Sequence, residues 1–142
     1  MSKASRLEPL ADLADARAAE AARGLAASVR LLEAKRAELA KLESFLEDYR
    51  RQAAESRTVP NGASWQNVRA FIARLGEAIA QAERELERLA AGHRAATDRW
   101  ERSRRQARLL DGLVERCREE EARALDRREQ AEQDERASRP PK

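Results

Sequence analysis

The sequence has little of what most folded domains use for turns, cross-links and bulky cores. Among 142 residues there are one cysteine, four prolines, five glycines, two tryptophans, one tyrosine and two phenylalanines. A single cysteine excludes an internal disulfide and fits a reducing compartment. So few glycines and prolines disfavour the many tight turns of a β-fold. Long apolar runs are missing as well, so the sequence predicts neither a secretory leader nor a membrane span, and a cytoplasmic location is expected.

Alanine and charge make up most of the chain. Hydrophobic residues are 42% of the sequence, but 30 of them are alanine, and charged residues are 39% with a net charge of only +3. Ala, Leu, Glu, Lys and Arg together account for 94 of 142 residues, far above the roughly 50% that is typical of long helices and coiled coils. Because so few large side chains cannot enclose a deep pocket, the composition favours an all-α protein that is not an enzyme.

One break divides the sequence, at Thr58–Ala63. Pro60 lacks the N–H that a continuing helix needs, and Asn61-Gly62 tolerates a turn. The sequence therefore predicts a single coiled-coil domain over 1–142, with helix one over about 9–57, a turn over 58–64 and helix two over about 65–137. Pro9 is expected in the first turn of helix one, and Ser64 as the N-cap of helix two.

Helix two carries an apolar stripe with alternating steps of three and four residues, which predicts a coiled-coil seam. Beyond Cys117 the same steps reach Glu121 and Arg128, so a helical tail from about 118 is expected to protrude. Helix one has a weaker stripe, interrupted by Ser28 and Lys35, which consists of Ala11, Ala14, Ala18, Ala21, Leu25, Leu32, Leu39, Leu42, Leu46 and Tyr49. The helix-two stripe consists of Trp65, Val68, Ile72, Leu75, Ile79, Ala82, Leu86, Leu89, His93, Ala96, Trp100, Ser103, Ala107, Leu110, Val114 and Cys117.

The short connection between the helices predicts an antiparallel two-helix coiled-coil hairpin. Folding about residue 60 pairs positions whose numbers add to about 121. Leu46 then faces Leu75, and Ala21 faces Trp100, a small residue against a large one. In this register the N-terminal end of helix one lies opposite about Val114.

No catalytic motif is recognisable. The sequence has no glycine-rich phosphate loop, no metal-ligand spacing and no nucleophile elbow, so no cofactor or metal is expected. His93 is either a pH-sensitive or metal-binding group, or a polar seam residue that sets the register, and the second reading is preferred. Cys117 is interpreted as a small core residue rather than a reactive thiol.

Two surface features could bind partners. Phe45 and Phe71 each precede a stripe position, so they either widen the core or form an exposed anchor patch. The second feature is an arginine cluster over Arg94–Arg108, opposed only by Asp98 and Glu101. It could contact an acidic protein, a membrane surface or nucleic acid, although a solvated face is the preferred interpretation.

Three segments resemble the bacterial flagellar export protein family FliJ. They are Leu7–Arg17, Leu42–Arg50 and Trp65–Ile72, the last with the spacing Trp-Gln-Asn-x-x-x-Phe-Ile and followed by Leu75, Ala78 and Ile79. Trp100 and the arginine-rich run after it match too, so the resemblance covers nearly the whole chain.

The resemblance implies a non-enzymatic, stalk-like hairpin of the flagellar type III export apparatus. Such proteins engage the hexameric export ATPase FliI with the paired helix ends, contact the cytoplasmic domain of the export gate FlhA, and escort export chaperones. No nucleic-acid partner is expected, and membrane association is peripheral, at the cytoplasmic face through the apparatus. The implied gate-binding residues are Leu42, Phe45, Tyr49, Phe71, Leu75 and Ala78; the implied ATPase-binding residues are Leu7, Leu10, Leu13, Arg17, Arg116, Arg118 and Arg123.

Three alternatives stay open at the level of sequence. The chain could be the corresponding stalk protein of an injectisome, a plain structural coiled coil that only dimerises, or a basic coiled coil that binds nucleic acid or a membrane surface through Arg99–Arg108. The family's histidine near the gate-binding patch is replaced here by Ala82, and Glu38 holds the usual polar position before Leu42. The residues at these two positions, Ala82 and Glu38, bear on the contacts expected at the patch.

Overall fold

Two long helices form the protein. The computed structural model describes residues 2–55 and 62–141, and for residues 62–64 the backbone alone. Helix α1 is Lys3–Glu55 and helix α2 is Gly62–Ser138, and no strand occurs in the described ranges. The predicted all-α fold of two long antiparallel helices is confirmed. Residues 58–61 of the predicted turn lie outside the described residues.

Both helices begin earlier than the sequence predicts. The Ser5 N–H donates to the Ser2 hydroxyl at 3.1 Å, and the Arg6 N–H donates to the Ser2 carbonyl at 3.2 Å. Ser2 thus caps α1, which begins at Lys3 rather than near residue 9, and Pro9 lies in its second turn. Helix α2 begins at Gly62, so Ser64 lies in the first turn of the helix rather than before it.

The chain packs as two compact units. The terminal unit is Met1–Ala22 with Arg99–Lys142, and the central unit is Arg23–Asp98. Each unit contains one stretch of α1 and one of α2. The single domain over 1–142 stays a prediction.

In the central unit the two helices run antiparallel, close to the predicted register. Lys35 Nζ lies 2.6 Å from Glu85 Oε2, and the rings of Tyr49 and Phe71 are 4.6 Å apart between centroids. Leu32, Leu75 and Ala82 are buried, and the remaining stripe positions from Val68 to Ala96 are half-buried. The stripe read from the sequence is therefore the seam of this unit.

The terminal unit has an interior made mainly of alanine. Its buried residues are Ala4, Ala11, Ala14, Ala21, Ala107, Val114 and Cys117. The Ala4 N–H donates to Glu121 Oε1 at 3.2 Å, and the Arg118 guanidinium pairs with Glu8, so the helices of this unit are antiparallel too. Small side chains on both helices allow the two backbones to approach closely.

The paired region extends farther than predicted. Because α1 begins at Lys3, it still contacts α2 at Glu121, and Ala124 is half-buried. Pairing therefore reaches about one helical turn beyond residue 118, where the tail was expected to start. From Leu125 to Pro141 every residue is exposed while the helix continues to Ser138, so the protruding helical tail is confirmed with a later start.

Candidate partner-binding surfaces

Three aromatic side chains form an exposed patch on the central unit, here called the aromatic patch: Phe45, Tyr49 and Phe71. Their exposed fractions are 53%, 37% and 38%. Tyr49 and Phe71 come from different helices and contact each other at an interplanar angle of 46°. This tilted contact holds two large apolar surfaces side by side, at a centroid distance within the range that aromatic pairs favour. Both flanking phenylalanines are therefore exposed.

The other predicted gate-binding residues differ in their exposure. Ala78 is exposed and Leu42 is half-buried, whereas Leu75 is only 7% exposed. Leu75 lies one turn after Phe71 on α2 and belongs to the seam beneath the patch. It can support the aromatic patch, but its side chain is almost entirely covered.

Trp65 is a further exposed aromatic of this unit, which sequence reasoning assigned only to the seam. Its side chain is 38% exposed, and it lines a shallow groove with Gln66 and Arg69. The sequence could have indicated this exposure, because Trp65 is the first stripe position after the break. A residue at the end of a seam has seam neighbours on one side only.

Lys35 interrupts the stripe of α1 and is held by two carboxylates. Its ammonium lies 2.7 Å from Glu38 and 2.6 Å from Glu85. The hydrogen bonds with Glu38 and then Glu85 raise the pKa of Lys35, and the bond from Lys35 lowers the pKa of Glu85. The Lys35 ammonium stabilises the folded state until the pH rises through its raised pKa. The Glu85 carboxylate stabilises the folded state until the pH falls through its lowered pKa. Both charges thus persist at neutral pH.

The predicted ATPase-binding residues divide between two flanks of the terminal unit. On α1, Asp15 directly follows the stripe position Ala14, and Glu8 follows the half-buried Leu7 one heptad earlier. Glu8 contacts Arg118 and Asp15 contacts Asp111, and these two residues of α2 directly follow the stripe positions Cys117 and Leu110. Those four charged residues define the charged flank. Residues that precede a stripe position lie on the other side of the seam. Arg118 is therefore separated from Leu10, Leu13 and Arg17.

The other side, here called the leucine flank, carries Leu10, Leu13, Leu109 and Leu113. The first three are 52%, 48% and 60% exposed, and Leu113 is half-buried. Of the remaining predicted residues, Leu7 is half-buried in the seam, and Arg17, Arg116 and Arg123 are exposed.

On the charged flank two carboxyl groups meet. Loss of contact with water, followed by the hydrogen bond and repulsion from Asp111, raises the pKa of Asp15 above its ordinary value of 3.8. The folded state therefore binds a proton more readily than the unfolded chain at this site. Stability falls as pH rises from that ordinary value through the raised pKa, and the penalty is complete at neutral pH.

Replacing Asp15 with asparagine should therefore raise the thermal midpoint modestly at pH 7. The gain should shrink as the solution is acidified through the raised pKa, because the wild-type carboxyl is then protonated too. Melting curves of both proteins between pH 3 and pH 7 measure the difference. Asp126→Asn, on the exposed tail, is the matched control. A gain that grows on acidification would have the wrong sign.

Every arginine of the cluster that lies in the terminal unit is exposed. Arg99, Arg102, Arg104, Arg105 and Arg108 make no ion pair within residues 2–55 and 62–141. The Arg104 guanidinium stands 5.1 Å from the centre of the Trp100 ring, in a cation–π contact. The cluster therefore leaves several unneutralised guanidinium groups facing solvent.

Both candidate reactive residues lie in the seam. Cys117 is buried in the seam of the terminal unit, and His93 is half-buried in the seam of the central unit. Within the described residues, no group of three or more His, Cys, Asp or Glu side chains could hold a metal ion. Neither helix, as far as the structure describes it, has an apolar stretch long enough to cross a membrane.

Comparison with protein families gives one match that spans almost the entire chain. A family model described as the flagellar FliJ protein matches residues 2–141. Comparison with curated proteins and with solved structures gave no match.

Proposed function

Because the chain belongs to the FliJ family of flagellar proteins, we propose that it is the stalk-like coiled-coil component of a flagellar type III export apparatus. In this role it binds and stimulates the hexameric export ATPase FliI, links that ring to the cytoplasmic domain of the export gate FlhA, and escorts export chaperones. It acts in the cytoplasm, at the inner face of the cell membrane, and flagellum assembly and motility depend on it.

The proposed role is mechanical rather than chemical. Long helices with a thin interior supply stiffness and length, and the large exposed side chains supply contacts. The chain does not hydrolyse ATP itself in this proposal; it couples the ATPase to the gate by holding both.

The observation that carries the proposal is the aromatic patch of the central unit. Phe45, Tyr49 and Phe71 are between 37% and 53% exposed although they are large apolar side chains, and aromatic side chains are enriched at the centres of protein interfaces. The resemblance to the family is the reason for expecting the gate contact at these residues. We therefore assign them to the gate contact, with Leu75 as their support and Ala78 at the edge.

The double variant Phe45→Ala/Phe71→Ala should weaken binding to the purified FlhA cytoplasmic domain by at least about tenfold, since each truncation removes an aromatic anchor. Isothermal titration calorimetry measures the affinity, and circular dichroism verifies that the helices persist. Leu31→Ala is the matched control, because Leu31 is also an exposed apolar residue of the central unit, 57% exposed. Equal affinities for the double variant and the wild type would refute the gate assignment.

A further inference from the structure

Three of the four exposed leucines of the terminal unit, Leu10, Leu13 and Leu109, lie on one side of the seam. Leu10 and Leu113 each precede a stripe position, Ala11 and Val114, and Leu13 and Leu109 lie one turn away on the same side of their helices. In the antiparallel register, Leu10 is level with Leu113 and Leu13 is level with Leu109. The leucine flank is thus a compact apolar cluster along the groove between α1 and α2.

The opposite flank of the same unit is charged, which shows that the leucines are not spread at random. There, Glu8 pairs with Arg118 and Asp15 meets Asp111. An ordinary solvated surface would not concentrate three leucines, each about half exposed, on one flank and charged side chains on the other. The asymmetry distinguishes the leucine flank as the apolar side of the terminal unit.

The rim of the leucine flank is basic. Arg6 lies one turn before Leu10, Arg17 one turn after Leu13, and Arg116 one turn after Leu113. None of the three pairs with a carboxylate within the described residues; Arg116 reaches only its own helix, donating to the Gly112 carbonyl at 3.4 Å. The acidic residues of this flank, Glu20 and Glu120, lie one turn farther out.

We infer that the leucine flank binds an amphipathic helix of a partner protein, one with an apolar centre and acidic edges. Such a helix lies in the groove between α1 and α2 as a third helix, buries the leucines and pairs its carboxylates with Arg6, Arg17 and Arg116. A second copy of this chain fits poorly, because a two-fold contact would bring the basic rims together. The inference rests on the proposed function in one respect, the identity of the protein that supplies the helix.

The test uses the full chain and synthetic helical peptides of about 20 residues, long enough to be helical. One panel has leucines on one face and glutamates at its edges, and a matched panel has lysines at the edges. Fluorescence anisotropy should show that the full chain binds peptides of the glutamate panel and not of the lysine panel. Leu10→Ser/Leu109→Ser should weaken that binding at least about tenfold, and Arg17→Glu/Arg116→Glu should reverse the preference. Leu125→Ser, an exposed leucine outside the flank, should change nothing.

Several results would overturn the inference: no peptide of the glutamate panel binds, the leucine variant binds as well as wild type, or the flank binds only vesicles of phosphatidylcholine and phosphatidylserine. The last result would identify a lipid surface instead. Stimulation of purified FliI is measured in parallel. Peptide failure with stimulation intact refutes this inference alone, and peptide binding without stimulation refutes the proposed ATPase contact alone.

Discussion

Replacing Leu75 with alanine should lower the free energy of unfolding by about 2–4 kcal/mol, which is the usual cost of truncating a buried leucine. Leu75 is 7% exposed and lies in the seam of the central unit. A pair of helices has only one layer of interior, so few neighbours can move in to fill the space. Urea denaturation followed by circular dichroism measures the loss.

The control for this experiment is Leu31→Ala, a leucine of the same unit that is largely exposed and should cost within about 0.5 kcal/mol. The Leu75 variant also tests whether Leu75 supports the aromatic patch or contacts the FlhA domain itself. At a temperature where the Leu75 variant is fully helical, it should bind the FlhA domain nearly as well as the wild type, because its side chain presents almost no surface. Equal stabilities of the two variants would contradict the burial of Leu75.

The seam could be predicted from sequence because the chain has few other places for large side chains. Steps of three and four residues from Val68 to Cys117 meet buried or half-buried positions throughout. His93 and Ser103, the two polar members, are half-buried at their predicted places. A period maintained for so long determines which face of α2 is covered, whatever the individual propensities are.

The helix starts could not be predicted in the same way, because they depend on single hydrogen bonds. Pro9 suggested a first turn, but Ser2 caps the helix seven residues earlier and the turn containing Pro9 follows it. That extension brings Ala4 and Glu8 against Glu121 and Arg118, which moves the end of pairing along α2. One capping serine thus accounts for both differences at this end of the molecule.

The candidate surfaces were predicted unequally, for a related reason. Phe45 and Phe71 were recognisable because each directly precedes a stripe position and is aromatic. Leu109 and Leu113 were not singled out, since each is one leucine among several in the sequence. Their grouping with Leu10 and Leu13 depends on the antiparallel register and on which residues of the two helices lie on the same side of the seam. Only the contacts on the charged flank show which residues share a side.

Replacing Ala14 with leucine should destabilise the protein by about 1–3 kcal/mol, although leucine is nearly as good a helix former as alanine. Ala14 and Ala107 are both buried in the terminal unit, and the predicted register places them opposite each other. A leucine there would force the two backbones apart and would strain the contacts of Ala4 and Glu8 with α2. Thermal and urea unfolding measure the loss.

The matched control is Ala16→Leu, two residues away on the exposed side of the same helix, which should change stability by less than about 0.5 kcal/mol. The two substitutions add the same atoms to the same turn of α1, so any difference between them reports the space at the seam. If Ala14→Leu were as stable as Ala16→Leu, or more stable than wild type, the terminal unit would have room for a larger side chain. In that case the abundance of alanine would reflect helix propensity rather than close packing of two backbones.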